Sequence, residues 1–190
     1  MDSDPNGGTA PERQLNVFAL VIYIPPPLGT FLDELRRDLV PTCAPHAHVS
    51  VLPPRCVAVD PHIASEHVRA LVEGWTPFEV DLEDICMFPV TDVVYIGAGA
   101  GATELRRMHD ALNSGVLLCR EPFEYQPHIT LVQEVPHHNV LGLRENACRR
   151  WKKYSGPRKF LADRATFVRN TIDDTWIDLA AYPMGAVALR

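Results

Sequence analysis

An α+β fold is predicted for this chain, and three observations carry the prediction. Strand-like and helix-like stretches alternate along it. No glycine signature of a nucleotide-binding βαβ unit is present. A strand–helix–strand order occurs twice, each copy ending on a strand that carries a His-x-hydroxyl tripeptide. At 190 residues the chain is long enough to bury a sizeable core, as one domain or as two small lobes sharing an interface.

Residues 1–14 are rich in Asp, Gly and Pro without periodicity and read as a disordered tail, leaving residues 15–190 as one folded unit. Residues 16–25 form a compact apolar run rich in β-branched and aromatic residues, a buried strand stopped by Pro25, Pro26 and Pro27. Phe31, Leu32, Leu35 and Leu39 then recur at helical spacing over 29–40, with Thr30, Asp33 and Glu34 at the helix start. A strand at 46–54 is expected to end at Pro53 and Pro54. A helix follows from Pro61 to Val72, with Ile63, His67, Ala70 and Leu71 on one side.

Residues 78–89 alternate as a strand does, and 93–99 form a second, more apolar one ending in glycines. The glycine run at 97–101 lacks the spacing of a phosphate loop and is read as a turn into the helix of 102–114, which turns Leu105, Met108 and Leu112 inward. A strand at 125–135, a helix from Val140 to Trp151 and strands at 160–170 and 175–184 complete the order, with His137 and His138 in a turn after Pro136.

Composition narrows the function classes. Hydrophobic residues make up 46% and charged residues 22%, and no apolar run approaches the roughly 20 residues that span a bilayer. The polar N-terminus does not read as a signal peptide, so a cytoplasmic protein without membrane attachment is expected. A net charge of −6 argues against tracking along duplex nucleic acid but leaves RNA ends and small anions open as partners. Cysteines at 43, 56, 86, 119 and 148 are odd in number and contain no CxxC pair, so free thiols are expected.

The chemistry-bearing residues are His48-Val49-Ser50 and His128-Ile129-Thr130. Residues i and i+2 of a strand share a face, so His48 projects with Ser50 and His128 with Thr130, while Val49 and Ile129 turn to the core. Opening a cyclic phosphodiester requires one proton removed from the attacking oxygen and one delivered to the leaving oxygen. Histidine does either near neutral pH, and hydroxyls donate to the non-bridging phosphate oxygens. The residues alone leave a catalytic pair and a chance recurrence both open.

The pair, with Pro127 ahead of the second motif and Leu131 behind it, resembles the two signature motifs of the two-histidine phosphoesterase superfamily, most of all the bacterial 2'-5' RNA ligase and RNA cyclic phosphodiesterase proteins. The resemblance runs from about Asn16 to the C-terminus. It implies two pseudo-symmetric lobes, each an antiparallel sheet with helices, around a central cleft. It further implies that His48 and His128 face each other there with Ser50 and Thr130 at the phosphate. The activity implied is hydrolysis of a 2',3'-cyclic phosphate on an RNA end or nucleotide, with reversible 2'-5' RNA ligation beside it, without metal or other cofactor. A monomer is expected.

Two features depart from the family pattern: His46 two residues before His48, and Leu52-Pro53-Pro54-Arg55 after the motif. His46, Gln126, Tyr125 and Arg55 are expected to line the cleft. Two other readings stay open. One is a nucleotide- or RNA-binding module without turnover; the other is a metal-dependent hydrolase built on His46 and His48. The basic stretch from Arg149 to Tyr154 is read as a solvated helix end.

Overall fold

The computed structural model describes residues 14–43, 46–171 and 175–185. Its elements in chain order are β1 (Gln14–Tyr23), α1 (Leu28–Leu39), β2 (His48–Cys56), α2 (Pro61–Val72), β3 (Phe78–Met87), β4 (Val94–Ala98), α3 (Ala102–Leu112), β5 (His128–Val132), α4 (His137–Lys153), β6 (Lys159–Ala162), β7 (Arg164–Thr171) and β8 (Trp176–Pro183). The tail expected at 1–14 lies outside the described residues up to position 13, and Gln14 already belongs to β1.

The strands form two four-stranded antiparallel sheets, in the orders β2-β1-β7-β8 and β5-β4-β3-β6. In each, the motif strand is an edge strand, paired with the strand that precedes it in its own strand–helix–strand unit. The third strand of each unit is exchanged: β3 lies beside β4, and β7 lies beside β1. The helices are exchanged too, for α1 packs on β5 and α3 on β2. These crossings draw β2 and β5 against each other, so the two sheet edges meet where the motifs are.

The apolar pattern explains the layers. Phe18, Leu20 and Ile22 of β1 join Val49, Val51, Val80, Ile96, Ile129 and Leu131 beneath Leu32, Leu35, Leu105, Met108, Leu112 and Trp151 of the helices. Each such side chain stabilises the fold by about 1.5–3 kcal/mol through burial. Ala19 and Val21 turn the other way and form a smaller cluster with Val168, flanked by Tyr23 and Trp176. Gly29 is required where α1 leaves the three prolines, because a Cβ there would lie 1.9 Å from the Ile24 carbonyl oxygen. Pro61 sits in the first turn of α2, and the Asp60 carboxylate caps that turn through the His62 amide at 2.8 Å.

Several boundaries differ from the sequence reading. β2 runs through Pro53 and Pro54 to Cys56 instead of stopping there, because an edge strand leaves one row of amides unpaired and tolerates proline. The strand expected at 160–170 is two, β6 and β7, which enter different sheets on either side of Asp163. α2 buries Ala64, Val68 and Val72, leaving Ile63 exposed. α4 begins at His137, so His137 and His138 form its first turn, with His137 Nδ1 2.5 Å from the Asp92 carboxylate. Among the described residues no helix is long and apolar enough to cross a membrane.

Candidate active site

The alternation predicted for the two motifs is present. Along β2, His48 and Ser50 are half-buried while Val49 and Val51 are fully buried, and β5 repeats the pattern with His128 and Thr130 against Ile129 and Leu131. The registers match this: His48 lies opposite Tyr23 and Ser50 opposite Val21, whereas His128 lies opposite Gly97 and Thr130 opposite Tyr95. Because β2 packs on β5, the two motifs come close enough together for His128 to act on the charge of His48.

Each imidazole is held in the same way. His48 Nδ1–H donates to the His46 carbonyl oxygen at 2.9 Å, and His128 Nδ1–H donates to the Gln126 carbonyl oxygen at 2.6 Å. A carbonyl only accepts, so Nδ1 carries the proton in both rings and Nε2 is the nitrogen free to exchange one. The residue two positions ahead supplies the carbonyl in both motifs. Burial pushes both imidazoles below the usual histidine range, against the raising effect of these carbonyls. The charges of Arg36 and His128 lower His48 further, and Asp33 opposes them.

A family model for the 2'-5' RNA ligase superfamily matches residues 24–174, which spans both motifs and both edge strands. The chain belongs to that superfamily, a group of two-histidine phosphoesterases. A protein of Bacillus licheniformis provisionally named a phosphoesterase is 26% identical over 137 residues, covering 66% of this chain and 77% of that one. Another of the same provisional name, from Geobacillus kaustophilus, is 22% identical over 128 residues, covering 63% and 70%. Among solved structures, TT0787 of Thermus thermophilus aligns at a TM-score of 0.60 with 18% identity over 90% of this chain and 100% of that one. The LigT protein of E. coli in its apo form aligns at 0.59 with 15% identity over 91% and 98%. These structures share the fold, two antiparallel sheets with helices.

Within this superfamily frame, residues outside the motifs shape the site. Asp33 of α1 accepts the Ala47 amide at 2.5 Å and lies 3.7 Å from His46 Nδ1. It thereby fixes the segment in which His46 takes a left-handed φ of 66° and turns its carbonyl to His48. The His46 ring lies near Asp33 and edge-to-face with Tyr23, whose ring also meets that of His48 with centroids 6.3 Å apart. Arg36, one turn further along α1, is 7% exposed, and its Nη1 has no hydrogen-bond acceptor among the described residues. The helical stripe of Leu28, Leu32, Leu35 and Leu39 places position 36 on the inner face, a signal visible in the sequence.

The second lobe differs. His128 stands edge-on to Phe88 and Tyr95, with ring centroids 5.1 and 5.3 Å away, and those two rings stack at 4.0 Å. Gln126 is exposed, and its Nε2 donates to the Tyr95 hydroxyl at 3.1 Å. Tyr125 crosses between lobes, its hydroxyl donating to the Ser50 carbonyl at 2.9 Å and its ring stacking on His109 at 4.1 Å. Burial raises the Tyr125 phenol above its ordinary range.

Arg55 departs from expectation. It is 4% exposed and its donors are committed to Asn113, the Leu117 and Pro53 carbonyls and Glu121. The two register shifts of β2 between Ser50 and Arg55 bring it opposite Phe18, on the helix face, and it pins the 113–121 segment there. Among the described residues no group of three or more His, Cys, Asp or Glu is arranged to hold a metal ion.

Proposed function

We propose that this chain is a metal-independent cyclic phosphodiesterase of the cytoplasm, acting as a monomer on 2',3'-cyclic phosphates of RNA ends or nucleotides. The observation that carries the reading is the matched pair of Nδ1–carbonyl contacts on two edge strands that pack together, each beside a hydroxyl. With Nδ1 committed, one neutral imidazole takes a proton at Nε2 from water as its oxygen attacks phosphorus. The other imidazole, protonated, gives its Nε2 proton to the departing sugar oxygen. The cyclic diester becomes a phosphomonoester with one free hydroxyl, and the proton count of the pair returns to its start after exchange with solvent. Ser50 and Thr130 donate to the non-bridging oxygens, where negative charge grows.

Nucleotide binding by structural relatives supports the substrate class: E. coli LigT was solved with 3'-AMP and Kluyveromyces marxianus Usb1 with uridine monophosphate. Five free cysteines are in keeping with a reducing compartment. With an RNA 5'-hydroxyl in place of water as the attacking oxygen, the same two groups would open the cyclic phosphate into a 2'-5' linkage, so 2'-5' ligation belongs to the same reading.

The test is hydrolysis of 2',3'-cyclic nucleotides and of a cyclic-phosphate-ended oligoribonucleotide in the presence of EDTA, for the wild type, His48→Ala and His128→Ala. Turnover that survives the chelator and falls about a hundredfold or more in each variant is expected. Turnover abolished by EDTA would move the chemistry to a metal near His46. Nucleotide binding without turnover would make the chain a binding module.

A further inference from the structure

The basic stretch that the sequence presents as a solvated helix end belongs to a longer strip. Residues 144–153 hold five of the chain's 18 Lys and Arg and one of its 24 Asp and Glu, in a protein whose net charge is −6. α4 turns Val140, Ala147 and Trp151 inward, and Arg144, Arg149, Lys152 and Lys153 stand exposed on its outer side. Together with Glu145 and Cys148 these four cations line one shallow groove along the helix. At 1.5 Å per residue the strip is about 14 Å long.

The helix dipole explains only part of it. Its pull is confined to the last turn, where Arg150, Lys152 and Lys153 lie, and Arg144 and Arg149 fall outside. Nor does the fold neutralise the strip. Arg150 pairs with Asp38 of α1, and Arg149 donates to the neutral Asn146 amide oxygen at 3.2 Å. Arg144, Lys152 and Lys153 have no ion pair among the described residues. Arg149 also stands three and four residues from Lys152 and Lys153, a spacing at which like charges repel until an anion lies over them.

The strip is level with the candidate active site. The Trp151 indole donates to the Glu83 carbonyl at 2.9 Å, and Glu83 and Asp84 together oppose Gly97, whose other neighbour is His128. The last turns of α4 therefore lie behind the row that holds His128, on the opposite face of the sheet. A sheet-to-helix layer of roughly 10 Å and an outer helix radius of about 5 Å separate the two, too far for one nucleotide to touch both.

We propose that the outer face of α4 is a second binding surface, which holds the phosphate backbone of a single-stranded RNA whose cyclic-phosphate end lies at the two histidines. The inference rests on the cyclic phosphodiesterase reading for that end, and it names strands above mononucleotides as the substrate. Each phosphate met by a cation releases counterions, so the contact is independent of base sequence and weakens with salt. An anionic membrane fits less well, because the apolar stripe of α4 is buried in the core and the groove offers no large apolar side chain to insert.

The experiment compares kcat/KM for a single-stranded oligoribonucleotide ended by a 2',3'-cyclic phosphate with that for a 2',3'-cyclic mononucleotide, across a salt series. The proteins are the wild type, the double variant Arg149→Gln with Lys152→Gln, and Glu145→Lys. In parallel, fluorescence anisotropy measures the Kd of the same strand ended by a 3'-phosphate. The wild type is expected to prefer the strand by about tenfold or more at low salt, with the preference fading as salt rises. The double variant should lose about tenfold on the strand and flatten its log–log salt slope by about 1.4, with the mononucleotide unchanged. Glu145→Lys should tighten the strand. Equal treatment of both substrates by the wild type, an equal loss on both in the double variant, or an unchanged salt slope would overturn the proposal. Binding to phosphatidylserine vesicles that the double variant loses, with strand binding intact, would overturn it in favour of a membrane surface. If no cyclic phosphate is turned over, the phosphodiesterase reading fails by itself, and the Kd of the strand and its salt slope still decide the role of α4.

Discussion

The two motif strands hold their histidines by the same contact in different surroundings. His48 sits on a long edge strand bulged twice against β1 and braced from α1 by Asp33, with the buried Arg36 cation near enough to lower its proton affinity. His128 sits on a five-residue strand, with Phe88 and Tyr95 at its side and a glycine as its cross-strand neighbour. Geometry is repeated and electrostatics is not. Pseudo-symmetry therefore places two imidazoles held alike, and the neighbours then make them unequal. A neighbouring cation disfavours a second proton on His48, while aromatic walls lower the affinity of His128 through desolvation alone.

Breaking the repeated part should cost most. In the proposed mechanism Ser50→Ala and Thr130→Ala each remove one donor to the charge-bearing oxygens, and kcat is expected to fall about a hundredfold in each, measured on a cyclic nucleotide. Loss confined to one of them would mean that the two hydroxyls are not equivalent. Removing the unequal part should cost less. Arg36→Met takes a positive charge away from His48, whose proton affinity then rises toward the ordinary histidine value. The kcat/KM profile of this variant is expected to shift to higher pH, whereas a shift to lower pH or none would contradict the role given to Arg36. The smallest effect is expected for Tyr125→Phe, which removes one hydrogen bond to the Ser50 carbonyl. About 1 kcal/mol of stability should be lost in urea denaturation, with kcat reduced only a few-fold.

How much of this was legible before the structure follows from the range of the interactions. The alternation that pairs His48 with Ser50 and His128 with Thr130 is a local property of each strand, and so are the apolar stripes of α1 and α3. The identity of a strand's neighbours is not local. The exchange of β3 and β7 between sheets depends on contacts between distant segments, and the division of 160–170 into β6 and β7 follows from that exchange. Glu83 comes to lie over Gly97 only through a bulge of β3 against β4. Asp33 matters only because the chain returns at Ala47. Arg55 could not be placed by spacing either, since β2 shifts register twice between Ser50 and Arg55. The positive φ of His46 could not be read, since it belongs to a turn that the Asp33 contact to the Ala47 amide holds from a distant helix.

The central claim is that two imidazoles, one neutral and one charged, act together through Nε2. The pH dependence of kcat/KM in the presence of EDTA tests it most directly, since it reports the ionisations of the free enzyme. Above both apparent pKa values no proton remains for the leaving oxygen, and below both no base remains for water. Burial lowers both groups, so a bell-shaped profile centred below about 6.5 is predicted. A profile that climbs steadily through pH 8, or one that needs a metal to appear at all, would contradict the account.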